Sequence, residues 1–177
     1  LIDSGTYSYN CNSCLFNYFS GIESHNTIQF DNGEPMYRIS RFLWGNWLSL
    51  STPLEIRESN STLLAKASYS CEVGNHERSI RVTNSGLKWK IVDQISGFKD
   101  HAILRWRICN SNWILKDSII KSKLAEIKIN YNQSIKSIQL VDGLKSCFYN
   151  KKENIKVMKI EIAGDSARIE TDILLLN

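Results

Sequence analysis

Alternation with a period of two is the feature that most constrains this chain. Lys88-Trp89-Lys90-Ile91-Val92-Asp93, Ile127-Lys128-Ile129-Asn130-Tyr131 and Lys156-Val157-Met158-Lys159-Ile160-Glu161-Ile162 repeat apolar side chains at every second position. Successive side chains of a strand point to opposite faces, so such runs read as half-buried strands with one face to a core. Ser79-Ile80-Arg81-Val82-Thr83 is another, leading into a hairpin-type turn at Asn84-Ser85-Gly86. Ala102-Ile103-Leu104-Arg105-Trp106-Arg107-Ile108 reads as a strand with Trp106 inside. Further turn signals fall at Asp31-Asn32-Gly33, Gly74-Asn75, Ser96-Gly97, Asp142-Gly143 and Ala163-Gly164-Asp165. Short strands punctuated this often predict an all-β fold of stacked antiparallel sheets, a β-sandwich. Helical periodicity is weak. Residues 117–129 have room for a turn or two, and their β-branched content argues against a long helix.

At 177 residues, the chain is expected to form a single domain over 1–177, long enough to build its own core. Hydrophobic content of 42% against 23% charged residues places it with folded rather than disordered chains. No apolar run approaches the roughly 20 residues that span a bilayer, so no membrane partner is expected. The net charge of +4 is spread along the chain and predicts no nucleic-acid partner. A mildly basic field does attract polyanions such as acidic polysaccharides. Leu1-Ile2 open the chain in mid-pattern, as if at the end of a strand, with no methionine or leader. The expectation is the C-terminal piece of a larger protein.

Cys11, Cys14, Cys71, Cys109 and Cys147 are odd in number and mostly isolated, unlike a disulfide framework. Cys11 and Cys14 have C-x-x-C spacing, but no second pair completes a four-ligand zinc site. Nor does a strand-to-helix pattern surround them, so ordinary thiols in a loop or strand are expected. Of the five tryptophans, Trp89 and Trp106 alternate with charged residues and are expected in the core. Trp44 and Trp47 flank Gly45-Asn46 in a less regular segment and are expected at the surface, where aromatic rings can stack on sugars.

One constellation can carry chemistry. Asp3 follows two apolar residues and precedes Ser4-Gly5, where a strand gives way to a turn. His25 precedes Asn26-Thr27-Ile28-Gln29-Phe30, an alternating strand. Neighbouring strand ends can bring a carboxylate and an imidazole together, which is half of a zinc site. Taken alone, such residues are more often a turn carboxylate that binds backbone N–H groups and a structural strand histidine.

Leu1-Ile2-Asp3-Ser4-Gly5-Thr6-Tyr7-Ser8-Tyr9, then Ser24-His25-Asn26-Thr27-Ile28, resembles the heparinase II/III-like polysaccharide lyases. That family carries an aliphatic-Asp-Pro-Gly-Thr-Tyr segment followed by Ala-His-Asn-Thr leading into a strand. Gly86-Leu87-Lys88-Trp89-Lys90-Ile91-Val92-Asp93 and His101-Ala102-Ile103-Leu104-Arg105-Trp106-Arg107-Ile108 resemble its later strands. Ser4 departs from the pattern where proline is usual. The resemblance implies the C-terminal β-sandwich of an enzyme whose N-terminal α/α-toroid is absent from this chain. It implies cleavage of uronic-acid-containing glycans by β-elimination, with the active site between the two domains. It also implies Zn2+ held by Asp3 and His25, with a third ligand from a Gly-His-x-His-like segment upstream. Tyr9 and Tyr18 are the candidate catalytic or cleft-lining tyrosines. The implied partners are an acidic polysaccharide and the toroid, in a periplasmic or cell-envelope location. The competing reading is a non-catalytic carbohydrate-binding or structural β-sandwich, resting on the tryptophans and the mild basic charge.

Overall fold

A computed structural model of the chain describes residues 1–83, 85–131 and 135–176. A helix, α1 (Ser13–Ser20), and a 3-10 turn (Ile22–Ser24) come first, and strands make up most of the rest. The strands begin with β1 (Ile28–Phe30), β2 (Tyr37–Arg38), β3 (Trp44–Gly45), β4 (Leu50–Ser59) and β5 (Thr62–Cys71). They continue with β6 (Gly74–Thr83), β7 (Lys88–Ser96), β8 (His101–Ile108), β9 (Ile114–Lys116) and β10 (Ile119–Lys121). The last four are β11 (Ala125–Tyr131), β12 (Ile135–Phe148), β13 (Lys151–Ala163) and β14 (Ser166–Leu175).

An eight-stranded sheet runs β4-β5-β6-β7-β14-β11-β10-β9, and a four-stranded sheet runs β1-β8-β13-β12. Strands β2 and β3 form a separate ribbon. Every pairing among the described residues is antiparallel. The two larger sheets stack on one apolar core. Ile28, Leu104, Trp106, Met158 and Ile160 come from one sheet, and Ile91, Ile127, Ile129 and Ile169 from the other. The expected sandwich is therefore the fold, and the alternating runs supply its inward faces.

The smaller sheet does not cover the larger one completely. One inward row of the larger sheet crosses Ile56, Ala65, Ile80, Ile91, Thr171 and Ile129. Its middle is sealed, with Ile91 at 3% exposure, but its β4 end is bare, with Ile56 at 62%. Ile56→Ala is accordingly expected to change unfolding free energy by less than about 0.5 kcal/mol. Ile91→Val on the same row should cost roughly 0.5–1.5 kcal/mol, and urea denaturation of the two variants measures the gradient.

Incomplete cover also corrects the expectation for Trp89. It sits in an inward row, opposite Val82 and Ile173, yet at the start of β7 it remains 37% exposed, two residues from the sealed Ile91. Trp106 is buried as expected, and its indole N–H reaches across the layers to the Thr171 hydroxyl at 3.1 Å. The segment with room for a helical turn is instead β10 and β11, where Ile120, Ile127 and Ile129 alternate inward. Conversely, the segment read as loop or strand around Cys14 is α1, capped by the Asn12 side chain accepting from Leu15 N at 2.9 Å. Asp142-Gly143 is no turn but the middle of β12. Gly143 is needed there for close approach: a Cβ would lie 2.6 Å from Val157 and 3.1 Å from the Tyr18 hydroxyl. In the turn expected at residues 84–86, Asn84 lies outside the described residues.

Candidate functional site

The N-terminal segment lies beside β8, with Ile2 N donating to Arg107 O at 2.9 Å. Asn26 joins this segment to the start of β1. Its side-chain amide donates to Ile2 O at 2.8 Å, and its side-chain oxygen accepts from Arg107 N at 2.7 Å. Asn26 thus has both ends of its amide committed to backbone, which sets its two flanking segments side by side. The consequence is that His25 Nδ1 stands 2.9 Å from Asp3 Oδ2, both side chains half-exposed. The other Asp3 oxygen accepts from Gly5 N at 2.9 Å, closing the turn. Gly5 has φ +68, and a Cβ there would strike the Ser146 carbonyl at 2.3 Å, so the turn requires glycine. Ser4, where the pattern departs from proline, is fully buried, and its carbonyl accepts from Ser146 N.

Burial alone would push the Asp3 carboxyl upward. The Gly5 N–H, the His25 imidazole and the charge of Arg107 outweigh it and hold the pKa below the ordinary value. The donor chemistry fits half a zinc site. Tetrahedral zinc with bonds of about 2.1 Å separates neighbouring donors by roughly 3.4 Å, whereas this nitrogen and oxygen stand at the hydrogen-bond distance of 2.9 Å and would have to part slightly to share a metal. Among the described residues no third His, Cys, Asp or Glu joins them.

The two candidate tyrosines lie elsewhere, and neither hydroxyl bonds to Asp3 or His25. Tyr9 is exposed, edge-on to Phe42 at 5.5 Å and tilted against Tyr149 at 6.0 Å. Tyr18 lies on α1 over Gly143. Its hydroxyl accepts from Leu144 N at 2.8 Å and from Arg107 Nη2 at 3.1 Å. Arg107 is fully buried and also donates to Glu23 O and Leu144 O. Tyr18 therefore anchors α1 to the four-stranded sheet through Arg107, and its hydroxyl is already occupied.

Behind His25 lies a buried charged group that motif reading passed over. Asp93 on β7 is fully buried, and its Oδ1 receives both His76 Nε2 and Arg78 Nε from β6 at 2.6 Å. Arg78 Nη1 extends to the Asn26 carbonyl at 2.6 Å, and the guanidinium lies 4.7 Å over the Trp106 ring. A signal for this group does exist: Ile91, Asp93 and Ile95 share one phase of β7, so Asp93 is a charge at an inward position. A cavity of about 400 Å³ opens beside His25, lined also by Thr27, Glu34, Trp44, Leu48 and Tyr69. Burial pushes the Tyr69 hydroxyl up to about 12. Burial likewise raises Glu34, whose two oxygens accept from Ile22 N at 3.0 and 3.1 Å. Trp47 is 77% exposed, in keeping with the surface position expected for it.

Residues 1–173 match the family described as heparinase II/III-like, C-terminal. A crystal structure of heparinase III superposes with a TM-score of 0.79 at 17% identity, covering 99% of this chain and 27% of that chain. Another heparinase III gene product gives 0.79 at 16% identity, covering 98% and 28%. The heparan sulfate lyase HepC from Pedobacter heparinus gives 0.77 at 14% identity, covering 99% and 28%. At these identities the likeness is one of fold, and the chain spans little more than a quarter of each of those proteins. No curated protein sequence matches it.

Proposed function

The chain belongs to the heparinase II/III-like, C-terminal family, and we propose that it forms one wall of the cleft of a polysaccharide lyase. The observation that carries this reading is the Asp3–His25 pair, 2.9 Å apart between the N-terminal segment and the end of the 3-10 turn, and locked there by Asn26. A module that only binds sugars has no need of a carboxylate and an imidazole held together in this way. The length of the similar solved proteins supports a larger parent chain, with the remaining domain upstream.

In that enzyme a uronic acid within an acidic polysaccharide gives its C5 proton to a general base, the C4–C5 double bond forms, and the 4-linked oxygen leaves with a proton from a general acid. Asp3 receives the His25 Nδ1 face and so orients the imidazole, directing Nε2 away from the turn. With zinc completed from upstream, Asp3 and His25 would instead be two of its ligands, and the hydrogen bond between them would give way. Such an ion would supply a fixed positive charge that braces the cleft loops. Tyr9, with its exposed ring, is assigned to line the cleft, and Tyr18 to hold α1 on Arg107 rather than to move protons. A periplasmic or cell-envelope location suits a glycan substrate. No helix among the described residues is long and apolar enough to cross a membrane.

The exposed Trp47 and Tyr37 support the second reading, a binding module without catalysis. Incubating the full-length protein with heparan sulfate and alginate separates the two. Lyase action releases an ultraviolet-absorbing unsaturated uronate. Retention on the glycan without product would favour the binding module.

A further inference from the structure

A buried ion pair is seldom kept for stability alone. Desolvating both charges costs several kcal/mol, and apolar replacements of equal volume are often neutral or better. The Asp93–Arg78–His76 group makes this sharper, because Arg78 Nη2 and Asp93 Oδ2 have no hydrogen-bond partner among the described residues. What the group does achieve is a link between layers. Arg78 leaves the eight-stranded sheet opposite Ala67, is held at its Nε by Asp93, lies over Trp106 and ends on the Asn26 carbonyl. Asn26 is the residue after His25, and its side chain is already fixed by Ile2 and Arg107. Gripping its carbonyl as well fixes the direction in which the chain presents His25.

We propose that Arg78, aimed by Asp93 and His76, is a positioning residue that acts through Asn26 on His25. The proposal rests on the functional reading of His25 given above. Arg78→Lys separates this role from a structural one. It keeps a cation beside Asp93, but one ammonium cannot reach both that carboxylate and the Asn26 carbonyl.

The test uses the full-length protein, reading kcat, KM and Tm, with His25→Asn as a partially active partner in a double-mutant cycle. Arg78→Lys is expected to lower kcat about tenfold or more, leaving KM within about twofold and Tm within a few degrees. Combined with His25→Asn, it should add little further loss, whereas Ile91→Val should lower Tm without lowering kcat. Should lysine not fold at this site, the neutral pair Arg78→Gln with Asp93→Asn replaces it, with the same outcome expected. Unchanged kcat, or losses that multiply fully with His25→Asn, would overturn the positioning role. Unchanged turnover in His25→Asn alone would instead overturn the reading of His25 itself.

Discussion

Asp93→Ala is expected to lower the unfolding free energy by about 3–5 kcal/mol, because it leaves the buried His76 and the largely buried Arg78 without their shared counter-charge. Both bond the same Asp93 oxygen at 2.6 Å, and the carboxylate has no contact with water. Urea denaturation followed by tryptophan fluorescence measures the loss, and a change below about 1 kcal/mol would show that the pair carries little net energy. The same carboxylate gives stability a pH dependence. Burial raises the Asp93 pKa, but the charge of Arg78 and the hydrogen bond from His76 outweigh it, and the folded-state value lies below the ordinary one. A lowered folded-state pKa means that the stabilisation is complete above the unfolded value, about 3.9. It is lost as pH falls through the folded value. The gap in stability between the wild-type chain and Asp93→Asn should therefore be wide at neutral pH and shrink below about pH 4.

On the function proposed, His25→Ala in the full-length protein is expected to cut turnover by about a hundredfold, by removing both an imidazole from the cleft and a metal donor. Asp3→Ala should follow at roughly tenfold or more, because Asp3 orients the ring without needing to touch substrate. Metal content by mass spectrometry should fall in both variants. Wild-type turnover in His25→Ala would reduce His25 to a structural histidine.

The sandwich was readable from alternation because half-buried strands expose a two-residue period directly. The runs at Lys88, Ile127 and Lys156 became parts of β7, β11 and β13. Trp89 shows the limit of that signal. Its phase is inward, but it stands at the start of β7, and how far along a strand the opposing layer reaches is something no local pattern encodes. Helix α1 escaped notice because eight residues hold barely two turns, leaving the Asn12 cap as the main cue. The Asp3–His25 pair was readable because each residue belongs to a local motif, although Asp3 lies in a turn and His25 ends the 3-10 turn rather than standing at a strand end. Arg78 and Arg107 were not. Their meaning arises only when the β6–β7 register sets Arg78 beside Asp93 and when β8 packs under Tyr18 and Asn26. Gly143 was misread for a related reason: it makes room for Tyr18, 125 positions away in the chain, rather than forming a turn.

The most direct test of the division of labour proposed here compares the full-length protein with the 177-residue chain in one ultraviolet assay for unsaturated uronate. The substrate is acidic polysaccharide at equal protein concentrations. Product is expected from the full-length protein and none from the 177 residues alone, which on the function proposed supply Asp3 and His25 but only one wall of the cleft. Product from the 177 residues alone, or none from the full-length protein on any uronate-containing glycan, would contradict that division of labour.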